Sequence, residues 1–221
     1  MTMNAEQITV AAYGEIAVGP TDATMPTNAT AALPSGFVDL GYVTEDGVTF
    51  SATPTVEDIG AWQSATPVRR LVTTRELTVA TSFQQWNDDS FVVAFGGGKW
   101  TATGTSPNVS YRYDPPADTE ALAEHAVVIT AKDGEKNYRW VIMRANVTEA
   151  VETNLIRTGA AVLPVTFSAL APEGEDVSWY FLSDDIGFAP PLGGGAGPLI
   201  EPMSTPAPVQ AGAAKVAVEA K

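Results

Sequence analysis

After Pro67 the chain runs from Val68 to Phe83 as one uninterrupted strand pattern, with Leu77, Val79, Thr81 and Phe83 on one face and Thr78, Ala80 and Ser82 on the other. Strands usually have about five or six residues, so this one is far too long for an ordinary small domain. Just before it, Val48 to Val56 reads as a second strand, preceded by the turn signal Glu45-Asp46-Gly47. Between the two lies Glu57-Asp58-Ile59-Gly60-Ala61-Trp62-Gln63-Ser64-Ala65-Thr66-Pro67, polar and broken enough to read as a loop. The result is an oversized hairpin over 47–83 with a loop over 57–67. A two-stranded hairpin alone is marginal in water, so this one must either curl over its own domain or join a sheet shared with another subunit.

The rest of the chain supports a mainly β fold, a sandwich or barrel with one short helix. Short strands are expected at Ala12–Val18, Phe37–Val43, Lys99–Thr103, Val109–Tyr113, Gly159–Leu170 and Val177–Leu182, with Thr21 to Gly36 as a loop or arm. Ala126–Thr130 and Asn137–Val147 flank Asp133-Gly134, a β-hairpin signal. One helix is predicted, with Asp88 and Asp89 capping and charging its N-terminal turn, Phe91, Val92 and Phe95 as its apolar stripe and Gly96-Gly97-Gly98 as its stop. From Gly187 onward proline and glycine dominate, so 1–186 reads as one β-domain and 187–221 as a flexible extension.

Charge narrows the function. The net charge is −14, and Glu6, Glu15, Asp22, Asp39, Glu45, Asp46, Glu57 and Asp58 all precede the first basic residue, Arg69. Binding to a nucleic acid backbone needs clustered Lys and Arg, which are missing. Met1–Glu15 has no Lys, no Arg and no apolar segment, so no signal peptide is expected. No run reaches the 18 or so apolar residues of a membrane span, and no membrane partner is expected.

Catalytic signatures are equally scarce. There is one histidine, His125, which reads as a surface or strand-end residue, and there is no cysteine. That rules out Cys-His chemistry and offers too few ligands for a zinc site. Gly96-Gly97-Gly98-Lys99 departs from a phosphate loop, because Val93 stands at the first glycine position and Trp100 follows the lysine. Adjacent acids at Asp88-Asp89, Glu57-Asp58 and Asp184-Asp185 make no ready acid–base couple, and no calcium-loop spacing is present. No catalytic residue, metal or cofactor is expected. Trp62, Trp86, Trp100, Trp140 and Trp179 fall one per element, which suits core or interface packing better than a sugar platform.

Three segments carry a resemblance. Asp39-Leu40-Gly41-Tyr42-Val43-Thr44-Glu45-Asp46-Gly47-Val48 is followed by Val56-Glu57-Asp58-Ile59-Gly60-Ala61-Trp62-Gln63 and then by Val68-Arg69-Arg70-Leu71-Val72-Thr73-Thr74. This series resembles the major tail proteins (tail tube proteins) of long-tailed bacteriophages that infect actinobacteria. The resemblance implies six copies in a ring, rings stacked into a hollow tube, and the hairpin lining that tube by edge-to-edge pairing with its neighbours. It implies that the loop around 57–66 reaches the next ring, with Trp62 as its anchor, and that Arg69 and Arg70 pair with Glu57, Asp58 or Asp46 of a neighbouring copy. Ile59, Gln63 and Arg75 complete the expected assembly surface. The implied partners are further copies of the chain and other tail proteins: tape measure, tail terminator and distal tail protein. DNA would pass through an acidic lumen without specific binding, in a virion tail assembled from protein made in the host cytoplasm. Thr49 to Val56 alternates only weakly, so either hairpin face could line the lumen. Two other readings compete: a β-sandwich adhesion or carbohydrate-binding module, and a β-sandwich glycosidase, which would need two carboxylates in one cleft.

Overall fold

A computed structural model describes residues 5–149 and 151–188. The expected extension therefore lies, from residue 189 on, outside the described residues, and a short 3-10 turn at Ile186–Phe188 crosses the boundary expected at 187. The main sheet is antiparallel, with eight strands. They are β1 (Tyr13–Gly19), β2 (Val38–Asp39), β3 (Val43–Ala61), β4 (Ser64–Phe83), β7 (His125–Asp133), β8 (Lys136–Val147), β9 (Leu163–Ala169) and β10 (Trp179–Ser183). Strands β5 (Lys99–Thr105) and β6 (Asn108–Asp114) form a separate two-stranded sheet, and the helix α1 spans Asp88–Ala94.

The strand order is β2-β1-β7-β8-β9-β4-β3, with β10 also paired to β8. β7 reads Ala-Val-Val-Ile-Thr-Ala at its centre and is buried from Ala126 to Ala131, as a strand covered on both faces must be. It turns into β8 through Gly134-Glu135, where the hairpin signal stood. In β9, Leu163, Val165 and Phe167 alternate into the core, and in β4 Leu77, Val79, Thr81 and Phe83 do the same, as expected. The sheet folds back on itself. Phe50 of β3 lies 4.9 Å from Trp140 of β8, which lies 4.9 Å from Phe181 of β10.

The chain between β1 and β2, read as a loop or arm, is docked against the sheet. Arg139, buried in β8, donates to the carbonyls of Asn28 and Ala31 at 2.9 and 3.0 Å, and the Tyr180 hydroxyl donates to the Pro26 carbonyl. Multiple carbonyl acceptors are how a buried guanidinium is accommodated without a carboxylate.

Several sequence expectations need correction. The strand expected over Phe37–Val43 is only Val38–Asp39, and the chain leaves the ladder before β3 begins at Val43. Glu45-Asp46-Gly47 does not separate two strands. It is a bulge inside β3, between the pairs Val43↔Phe83 and Val48↔Thr81, and Gly47 supplies the positive φ of 66° that the extra residues require. The helix cap is Asn87, with Asp88 and Asp89 in the first turn. The Asn87 side chain accepts from the Ser90 amide at 2.6 Å, and Ser90 Oγ accepts from the Asn87 amide at 3.0 Å. At the other end Gly98 adopts φ 95° where a Cβ would lie 2.6 Å from the Asp114 carbonyl. The last strands start later than expected, at Leu163 and Trp179.

His125 stands at a strand end, one of the two places expected for it, but not at the open surface. It opens β7 half-buried, its Nε2 enclosed without a hydrogen-bond partner, and burial pushes its pKa below the ordinary histidine value. Below about pH 6.5 the unfolded chain takes up a proton that the folded chain refuses. Stability from this group is therefore unchanged above that pH and falls as the pH drops beneath it. The thermal midpoint is expected to decline between pH 7 and pH 5.5, and to decline less in His125→Gln. Equal declines in both proteins would place the acid sensitivity elsewhere.

Candidate assembly surface

β3 and β4 are 19 and 20 residues long, and only their roots belong to the body of the domain. β9 pairs with β4 from Thr78 to Phe83 and no further. Beyond Leu77 the two long strands have only each other among the described residues. Residues 51–60 of β3 and 65–76 of β4 are exposed on both faces. At about 3.3 Å per residue this distal part projects roughly 40 Å. Its two outer edges carry unpaired backbone donors and acceptors, a template for strand addition.

The segment expected as a loop over 57–67 is mostly strand. β3 continues to Ala61, only Trp62 and Gln63 turn, and β4 starts at Ser64. Pro67 is tolerated because the register is irregular there, between Ile59↔Arg69 and Ala61↔Ser64. Ser64 Oγ steadies the return by accepting from the Thr66 amide at 3.2 Å.

The structure places the expected surface residues unevenly along this hairpin. Trp62 and Gln63 form the tip, and Ile59 and Arg69 face one another just behind it. Asp58 and Arg70 pair across the hairpin of the same chain, Nε to Oδ1 at 2.6 Å and Nη2 to Oδ2 at 3.1 Å. The Arg70 hydrogen bond holds the Asp58 carboxyl below its ordinary pKa and raises that of Arg70. Both side chains are exposed, so the pair fixes local register more than it stabilises the fold. Glu57 lies opposite Leu71, and Arg75 lies opposite Pro54. Asp46 sits in the bulge at the root, apart from the arginines of its own chain. Val56, Ile59, Trp62, Val68, Leu71 and Val72 all present apolar surface to solvent. Trp62 is 99 % exposed, an arrangement that leaves its whole indole available to a partner.

A second exposed apolar feature was not legible as such in the sequence. Trp86, Phe91, Phe95, Trp100 and Tyr113 are not scattered but form one cluster, with Phe91 5.3 Å from Trp86 and 5.6 Å from Trp100. Trp100 and Tyr113 are a cross-strand pair of β5 and β6, as are Ala102 and Tyr111. This placement ties the small sheet to α1. The Trp100 indole N–H donates to the Asp88 carbonyl at 3.2 Å, and the Tyr113 hydroxyl donates to the Gly97 carbonyl. Beside the cluster opens a cleft of about 640 Å³ lined by Trp86, Asn87, Asp88, Phe91, Trp100, Ala102 and Tyr111. The period-two spacing of Trp100 with Ala102 and of Tyr111 with Tyr113 is the one sequence signal that could have revealed it.

The family model for phage tail tube proteins matches residues 1–193. The chain belongs to the phage tail tube protein family. As a tail tube protein it is a structural component of the bacteriophage virion tail, and it assembles with itself and with other tail proteins. No curated protein matches the chain. No helix among the described residues is long and apolar enough to cross a membrane.

Proposed function

We propose that six copies of this tail tube protein close into a ring whose inner wall is a barrel of shared β3–β4 hairpins, and that such rings stack into the conduit for DNA. The observation that carries this reading is the hairpin itself, unpaired on both outer edges and exposed on both faces. Closing strands around a ring removes those edges. The hairpin tip reaches past its own ring, with Ile59, Trp62, Gln63, Arg69 and Arg70 at the contact and Glu57 and Asp58 beside them. The chain carries a net charge of −14, and the projecting part of the hairpin balances Glu57, Asp58 and Glu76 against Arg69, Arg70 and Arg75, so the wall has no basic excess to hold DNA and DNA slides along it without specific binding. The protein has no enzymatic role in this reading. Its tail partners are the tape measure, tail terminator and distal tail proteins.

Electron microscopy of the concentrated purified protein tests this. Rings and hollow tubes are the expected result. The competing reading, an adhesion or carbohydrate-binding module, draws on the aromatic cleft beside Trp86 and Trp100. It predicts a monomer at every concentration and saturable sugar binding, and that pair of results would overturn the tube.

A further inference from the structure

The hairpin tip and the aromatic cleft are complementary features on one chain, one convex and one concave. The tip ends in an indole with almost all of its surface in solvent. The cleft is walled by Trp86, Phe91, Trp100 and Tyr111, and its volume of about 640 Å³ exceeds a single side chain. Aromatic rings gain from offset and edge-to-face packing beyond the area they bury, so an indole is well suited to these walls.

Charge agrees with shape. Arg69 lies in the strand pair next to the tip, opposite Ile59, while Asp58 and Arg70 behind it cancel one another. Asp88 lines the cleft. Neither Arg69 nor Asp88 is in an ion pair among the described residues. A tip that enters the cleft brings the free cation to the free carboxylate.

We infer that Trp62 of one copy seats in the aromatic cleft of a second copy, with Arg69 against Asp88, and that this is the contact joining one ring to the next. The inference rests on the tube reading above and names the receiving site for its hairpin tip. Knob and cleft are different parts of the surface, so the contact is head-to-tail and every copy offers one of each. Such a contact propagates instead of ending at a dimer. One tryptophan buries roughly 150–250 Å², well below the ~1,200 Å² of a stable interface. The contact therefore works only when repeated around a ring, where the other copies already hold the tip in place.

Charge exchange tests it. Arg69→Asp and Asp88→Arg each place like charges at the contact, and each should raise the protein concentration needed for tubes about tenfold or more. The double variant, carrying both substitutions, should return to within about twofold of the original protein. A mixture of the two single variants should also assemble, because alternate copies then meet with opposite charges. Trp62→Ala, which alters only an exposed tip residue, should stop stacking without moving the thermal midpoint, and the midpoint of each charge variant is measured beside it, because Asp88→Arg puts a cation in the first turn of α1. If the original protein makes tubes while the double variant is no better than the singles, the cleft is not the receiving site and the ring reading stands. Tubes formed by Trp62→Ala at the normal concentration would overturn the inference equally. If the original protein makes no tubes at all, both readings fail.

Discussion

Ala52→Pro is expected to leave the subunit folded and to abolish tube formation. Pro54 already stands in β3 opposite Arg75. A proline is tolerated in a ladder where its missing N–H would have faced away from the partner strand. Side and amide directions repeat every two residues, so the Ala52 amide also faces the outer edge, away from Leu77 of β4. The substitution therefore spares the β3–β4 ladder and removes a donor from the edge offered to a neighbour. Residue 52 is exposed, so no core contact is lost. The expected readout is an unchanged thermal midpoint and circular dichroism spectrum, with no tubes in micrographs. Normal tubes from this variant would show that neighbouring copies do not pair along β3.

The opposite pattern is expected for Phe167→Ala. Phe167 is 1 % exposed in β9 and lies opposite both Val79 of β4 and Val147 of β8. It is the packing that joins the root of the long hairpin to the rest of the sheet. Removing a buried phenylalanine ring costs about 3–5 kcal/mol in transfer and cavity terms. For a chain of this size that corresponds to a fall of roughly 10 °C in the thermal midpoint. Tube formation should be lost as well, but here together with stability. A midpoint within a degree or two of the original would mean that the site collapses around the vacancy, and that the hairpin root is held elsewhere. Taken together, the two variants separate assembly from folding.

Where one face of an element packs on the core, its sequence was readable. The alternation from Leu77 to Phe83 and the apolar run of β7 both record burial, and burial is what periodic patterns report. The stripe expected on α1 was misplaced: Ser90, Val93 and Ala94 are its buried residues, while Phe91 and Val92 are half-buried and Phe95 lies exposed beyond its last turn. The misreading of the hairpin has the opposite cause. From Glu57 to Thr66 neither face is buried within the subunit, so polar residues and Gly60 cost the strand little, and the segment looks like a loop. Glu45-Asp46-Gly47 has the composition of a turn because a bulge demands the same backbone freedom. The helix cap was displaced by one residue, since Asn87 and Asp88 are both good caps and only the reciprocal bond to Ser90 decides between them. The aromatic cleft was hidden for a different reason. Its walls come from Trp86, α1 and the separate β5–β6 sheet, and their meeting is set by tertiary packing rather than by any local pattern. The oversized hairpin was visible from the start, because its uninterrupted strand pattern runs far beyond the usual strand length.

The most direct measurement is a cryo-electron microscopy reconstruction of the assembled tube at a resolution that separates strands. The predicted map has a closed ring in which the outer edge of each β3–β4 hairpin lies within backbone hydrogen-bond distance, about 2.9 Å, of a strand from the neighbouring copy. A map in which subunits touch through other surfaces, with both hairpin edges left in solvent, would contradict the shared barrel.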